Sequence, residues 1–153
     1  MWRTDYFLTI VVLLSGVVAI VVGAVFIYQA FEKENWMKEA MRLEQVTLGL
    51  TEEQIAAGEL IDTAGEAQSA ADTIREHRRS IASSYQELLE GGQYDPTNPA
   101  HLSYAQALNM ENYLYLAVLG FGVTTVIYGI GAFMIIVGIA LACAGVVLFR
   151  SGQ

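Results

Sequence analysis

Two histidines, one cysteine and a run of mixed charge are the residues best suited to chemistry in this sequence. His77 lies inside Arg75-Glu76-His77-Arg78-Arg79, where an imidazole would serve as a pH sensor or a metal ligand. A metal needs several converging ligands, and adjacent Glu76 and His77 face different directions on a helix. His101 falls at an expected helix start and joins only if the fold carries it there. The plainer reading is a helix-surface histidine in a mixed-charge cluster. Cys143 is the single cysteine and has no internal disulfide partner. Ser69, Ser80, Ser83 and Ser84 have no local base or oxyanion motif, and G-x-S-x-G, H-E-x-x-H, P-loop and C-x-x-C patterns are absent. The pairs Glu52/Glu53 and Glu87/Glu90 read as solvated helix positions. The expectation is a chain that is not an enzyme, with no catalytic residue, no metal and no cofactor.

Arg78 stands out by its position. Ala67, Ala71, Ile74, Arg78, Ile81, Tyr85 and Leu88 alternate steps of four and three, a heptad seam interrupted by one guanidinium. The opposite face carries Glu66, Asp72, Glu76, Arg79 and Glu87, as a solvated face should. An arginine on the seam needs carboxylate partners to offset its burial, and Glu39, Glu44 or Glu111 would serve. A register-setting ion pair is the preferred role. An exposed arginine at the seam's edge and a ligand-binding arginine are the alternatives.

Hydrophobic residues make up 54% of the 153, and charged residues 16%. Ordinary soluble domains hold about 45–50% and about 25%. The mean hydropathy is +0.42 and the pI about 4.6. With a net charge of −8 the chain repels polyanions, so no nucleic-acid partner is expected.

The apolar residues are concentrated in two stretches. Residues 6–31 carry no charge for 26 positions. As a helix they would be about 39 Å long, against a hydrocarbon core about 30 Å thick. A cleaved signal peptide would have a shorter apolar run and a small-residue cleavage site. Here the run passes into Tyr28-Gln29-Ala30-Phe31, so an uncleaved anchor is expected. Residues 112–149 form the second stretch, 38 positions. At about 57 Å it is too long for one crossing and too short for two with a turn. Counting back from Arg150, a basic interfacial residue, gives a span over residues 124–149. Residues 112–123 would then lie outside the hydrocarbon, buried against protein. Tyr113, Tyr115 and Tyr128 would belong to an aromatic belt.

Between these stretches, residues 32–111 hold six of the eight basic residues and 15 of the 16 acidic ones. Helical spacing of Trp36, Met37, Ala40, Met41 and Leu43 continues the first helix to a stop at Gly49. Thr51-x-x-Gln54 and Thr63-x-x-Glu66 read as capping boxes, the second opening one helix that runs to Gly91-Gly92. Asn98 is a good N-cap and Pro99 suits the first helical position of a long helix reaching about Phe149, bent at Gly120 and Gly122. The expected fold is an all-α membrane protein. It is a two-span transmembrane helical hairpin whose helices extend into a membrane-proximal helical bundle. Its parts are a tail and first span (1–31), a helical segment (32–123), and a second span with tail (124–153). In the bundle the apolar faces of residues 36–46, 67–88 and 102–119 bury one another.

Small residues set the packing inside the spans, because lipid tails do not push apolar helices together. Ser15, Ala19 and Gly23 recur every four residues in the first. Gly131, Gly138 and Gly145 recur every seven in the second, as do Gly122 and Gly129. Either the two spans of one chain pack on each other, or one row serves the partner span and the other a neighbouring subunit. Neither span contains Asp, Glu, Lys, Arg or His, which argues against a pump, a proton-coupled transporter or a histidine-ligated haem in the membrane.

The runs Ala71-Asp-Thr-Ile-Arg-Glu-His-Arg-Arg-Ser-Ile-Ala82, Glu111-Asn-Tyr-Leu-Tyr-Leu-Ala-Val-Leu-Gly-Phe-Gly122 and Gly131-Ala-Phe-Met-Ile-Ile135 resemble those of uncharacterised bacterial membrane proteins with two spans and an intervening helical segment. The resemblance covers most of the chain and implies a bacterial source. It implies no activity. Lys33, Lys38 and Arg42 face Arg3, Arg150 and the amino terminus across the spans, nearly a tie under the positive-inside rule. Cytoplasmic termini and an extracytoplasmic bundle are favoured. The expected function is a structural or accessory membrane subunit. Its partners are the bilayer and either further copies of itself or other membrane subunits. A sensor signalling to a membrane partner and a small homo-oligomeric channel are the alternatives.

Overall fold

A computed structural model describes residues 2–44 and 50–151. Five helices appear among them, and no strand. They are α1 (Trp2–Leu43), α2 (Glu52–Ala56), α3 (Ala64–Ile81), α4 (Tyr85–Leu89) and α5 (Pro99–Ser151). Contacts divide the chain into one unit of residues 1–33 with 123–153 and a second of Glu34–Gly122. α1 and α5 contribute to both.

Among the described residues two helices are long and apolar enough to cross a membrane. The best windows of α1 and α5 reach mean hydropathies of 3.1 and 2.8, yet only 11% of each window is buried. The core helix of a soluble protein would be mostly enclosed. In the first unit the two helices run antiparallel, with Gly16 against Gly138 and Gly23 against Gly131. The buried positions are Thr9, Gly16, Gly23 and Ala30 on α1, and Thr124, Gly131, Gly138 and Gly145 on α5. Each row repeats every seven residues. That period keeps one seam in register along two supercoiled helices.

The second unit has a core built largely from alanine. Ile61, Ala67, Ala70, Ala71, Ile74, Ala107 and Leu114 form its main cluster, with Met41, Leu50, Tyr115, Ala117 and Val118 packed on it. Small side chains let α3 lie close to α5. Ile61 is the largest fully enclosed side chain among the described residues, and its burial contributes about 1.5–3 kcal/mol. Ala82, Leu88 and Tyr104 form a smaller cluster with Ile81 and Leu108. Capping fixes the connections. Thr51 and Gln54 cap α2 reciprocally, and Thr63 and Glu66 do the same for α3.

Three expectations need correction. The helix expected over residues 64–90 is broken. Ala82 is extended (φ −156°, ψ 143°) and Ser84 restarts the chain as an N-cap, accepting from the Glu87 N–H at 3.1 Å. Ser83 adds a bond from its own N–H to Glu87 at 3.0 Å, and its hydroxyl donates to the same carboxylate. Serine bonds that favour a cap outweigh the heptad pattern here. The left-handed step ending α4 begins at Glu90 (φ 47°) and continues through Gly91 (φ 80°).

Second, residues 112–123 are not buried throughout. Leu114 and Phe121 are enclosed, but Tyr113, Leu116 and Leu119 are 72%, 61% and 62% exposed. One helix packed on one side leaves its other face uncovered. Third, Trp36 and Leu43 are exposed; Met41, not they, packs on the core, and Met37 lies against Gly120. The expected stop at Gly49 lies outside the described residues, as does Val46.

Candidate functional site

Two polar clusters tie α3 to α5. Arg78 sits one turn beyond Ile74, so the helix period carries its guanidinium from the alanine core onto α5. Its Nε donates to Glu111 Oε2 at 2.7 Å, and Nη2 lies 3.5 Å from Oε1. Nη1 donates to the Tyr104 hydroxyl at 2.6 Å, and the guanidinium carbon is 5.0 Å from the centre of that ring. The Arg78 and Glu111 side chains are only 11% and 8% exposed. The hydrogen bond to Glu111 raises the arginine above its ordinary pKa, against the opposing effect of burial. Of the three carboxylates open to Arg78 from sequence, Glu111 is the one it meets.

One turn away, Arg75 Nη1 donates to the Tyr115 hydroxyl at 2.7 Å, which in turn donates to Asp72 Oδ1 at 3.0 Å. Arg75 also pairs with Asp72 at 2.8 Å, and the Gln68 amide donates to both Asp72 oxygens at 3.1 Å. The Gln68 amide first, and then Tyr115, hold the Asp72 carboxyl below the usual carboxylate range. Burial, and then the bond to Asp72, push the Tyr115 hydroxyl up. Asp72 is therefore half-buried and engaged, where its spacing had suggested a solvated position. Every charge in both clusters meets a partner, which offsets the cost of enclosing it.

The two histidines differ. His77 is exposed. His101 is buried at the start of α5, 9% exposed. Among the described residues no group of three His, Cys, Asp or Glu side chains is placed to hold a metal ion. A cleft of about 700 Å³ lies among Asn35, Lys38, Glu39, Arg42, Glu59 and Asp62. Lys38 is tied to Glu34 at 2.9 Å there.

The glycine rows separate into two kinds. A Cβ at Gly16 would stand 2.7 Å from the Gly138 carbonyl oxygen and the Ala142 nitrogen. At Gly23 it would stand 2.6 Å from the Gly131 oxygen. At Gly131 and Gly138 it would meet the Gly23 and Gly16 oxygens at 2.8 and 2.7 Å. Gly145 faces Leu13, whose Cβ would be 3.1 Å away. At Gly16, Gly23, Gly131 and Gly138 these are approaches to backbone that leave no room for a Cβ; the contact at Gly145 is looser. Gly122 and Gly129 face nothing within 4 Å. Ser15 is exposed and Ala19 half-buried; both line a shallow outer groove with Val11, Leu14, Val18 and Met134. The row on α1 follows Gly16 and Gly23, seven apart, rather than Ser15, Ala19 and Gly23. The antiparallel partner selects the seven-residue period. Tyr104 and Gly16 are contributors that sequence reading passed over, and Tyr115, expected in an aromatic belt, bonds Arg75 and Asp72 instead. The signal for Gly16 was present in Thr9, Gly16, Gly23 and Ala30.

No protein-family model, curated protein or solved structure matches the chain.

Proposed function

We propose that the chain is a non-enzymatic integral membrane protein that acts as a structural or accessory subunit. α1 and α5 cross the bilayer, and residues 32–123 stand outside it. One observation carries this reading: two windows of high hydropathy are each only 11% buried, so their apolar faces need a cover that water does not supply. The absence of ionisable side chains within residues 6–31 and 112–149 supports a packing role over a transport one. Gly131, Gly138 and Gly145 are occupied by α1. Association with further copies, or with other membrane subunits, therefore uses other surfaces of the pair. The cell membrane is bacterial, with cytoplasmic termini.

Cross-linking in native membranes followed by mass measurement tests the proposal. A ladder of one repeated mass identifies self-assembly, and a single link to a larger protein identifies an accessory role. Recovery of the chain as an uncross-linked monomer, or its release from membranes by alkaline washing, rejects the proposal.

A further inference from the structure

His101 holds the connection between α4 and α5 through both of its ring nitrogens. It sits in the first turn of α5, three residues after the Asn98 N-cap, whose side chain accepts from the Ala100 N–H at 2.9 Å. The backbone N–H of Asp95 points at Nδ1, 3.0 Å away. An amide N–H only donates, so Nδ1 must be the accepting, unprotonated nitrogen. The ring's one proton is then on Nε2, which donates to the Leu88 carbonyl at 3.1 Å. Tyr94 stacks on the imidazole, with ring centres 5.7 Å apart and planes 25° from parallel. One neutral ring thus joins three pieces: the end of α4, the link over residues 90–98 and the start of α5.

We propose that His101 is an acid-sensitive latch. Protonation of Nδ1 sets two donors against each other and breaks the bond to the Asp95 N–H. It also places a cation at the positive end of α5, within its first turn. The Asp95 carboxylate, on the link, attracts a protonated His101 ring by charge. Its Oδ1 is already engaged by the Thr97 hydroxyl and N–H at 2.7 and 2.8 Å, and that attraction does not restore the bond to the Asp95 N–H. The Glu87 carboxylate of α4 is held by the Ser83 N–H and hydroxyl. Arg78 of α3 is committed to Glu111 and Tyr104. Glu90 and the Tyr85 and Tyr94 hydroxyls complete the titratable groups of α4 and the link. The device releases the segment over residues 88–98 on acidification and leaves the main alanine cluster, which contains none of these residues, in place. It extends the proposed packing role with a regulated surface, and its test does not depend on that role.

The test uses the full chain, isotope-labelled, in lipid nanodiscs. Hydrogen exchange at the Asp95 amide, corrected for its intrinsic pH dependence, is compared at about pH 7.5 and about pH 5, the interval in which imidazoles change charge. The expected result is about a tenfold loss of protection at the lower pH, the scale of one lost hydrogen bond. His77→Gln removes the only other histidine and should keep that change in full. His101→Phe should leave the Asp95 amide poorly protected at both pH values. Unchanged protection across the interval in the His77→Gln protein, or the same pH response in His101→Phe, overturns the proposal.

Discussion

The two units of this molecule use the same pair of helices and hold them by different means. Residues 1–33 with 123–153 rely on backbone approach: glycine faces glycine along a seven-residue repeat, so close that an added Cβ would stand 2.6–2.8 Å from the opposite carbonyl oxygen. Glu34–Gly122 relies on alanine packing, reciprocal caps and ion pairs bonded to tyrosine. The difference follows from the solvent each region suits. Where apolar side chains gain nothing from meeting each other, only close fit distinguishes a neighbouring helix from lipid. In a region with a soluble composition, burial of small side chains supplies attraction, and the enclosed polar groups are paired.

The sharpest way to break the contrast is to remove one partner of the buried pair. Arg78→Met leaves Glu111 enclosed without its countercharge and should destabilise Glu34–Gly122 by about 3–5 kcal/mol. The double substitution Arg78→Met with Glu111→Leu should recover most of that loss. Denaturant titration in micelles measures both, and equal losses in the single and double variants would contradict the assignment of Arg78 to register.

Next in size are the glycines. Gly138→Leu places a side chain where the Gly16 backbone stands and should cost about 1–3 kcal/mol or more, because the helices must separate. Gly129→Ala meets open space, and should be neutral or stabilising by up to about 1 kcal/mol through helix propensity. Similar effects at the two positions, followed by thermal unfolding, would show that glycine contact does not hold the pair.

A smaller effect concerns the α3 cap. Glu66 accepts the Asp62 and Thr63 N–H groups at 3.0 and 3.1 Å, and the Asp62 bond is the main reason its pKa is lowered. A carboxyl bound more tightly when ionised stabilises the fold fully above its ordinary pKa of 4.5, and that contribution is lost as pH falls through the lower folded value. Glu66→Ala should cost about 1 kcal/mol at neutral pH. Glu66→Gln keeps the cap geometry and should flatten the acid limb of the stability profile. Midpoints measured across that range distinguish the two.

The helices were legible where a single pattern decided them. The uncharged lengths pointed to both long helices, and Thr51, Thr63 and Asn98 marked the starts of α2, α3 and α5 as capping chemistry requires. The break at residues 82–84 was not legible, because the heptad continues through it in sequence while Ser83 and Ser84 bond locally to Glu87. Arg78 was visible as an anomaly on a seam, but its partner was one of three candidates. Choosing Glu111 depends on which turn of α5 faces α3, a tertiary fact. On α1 a four-residue stripe through Ser15 and a seven-residue stripe through Gly16 share Gly23, and the seven-residue stripe is the one that meets α5. The partner helix, absent from local sequence, decides between them. His101 looked like a helix-start residue, and its two ring bonds depend on the path of the link folding back over it.

Paramagnetic broadening of the labelled full chain in bilayer discs tests the central claim most directly. A lipid-dissolved nitroxide should broaden amides in residues 6–31 and 124–149, while a water-soluble gadolinium chelate should broaden those in residues 52–104 and leave residues 10–27 sharp. Strong broadening of residues 10–27 by the chelate, with no effect of the nitroxide, would contradict two glycine-packed helices crossing a bilayer.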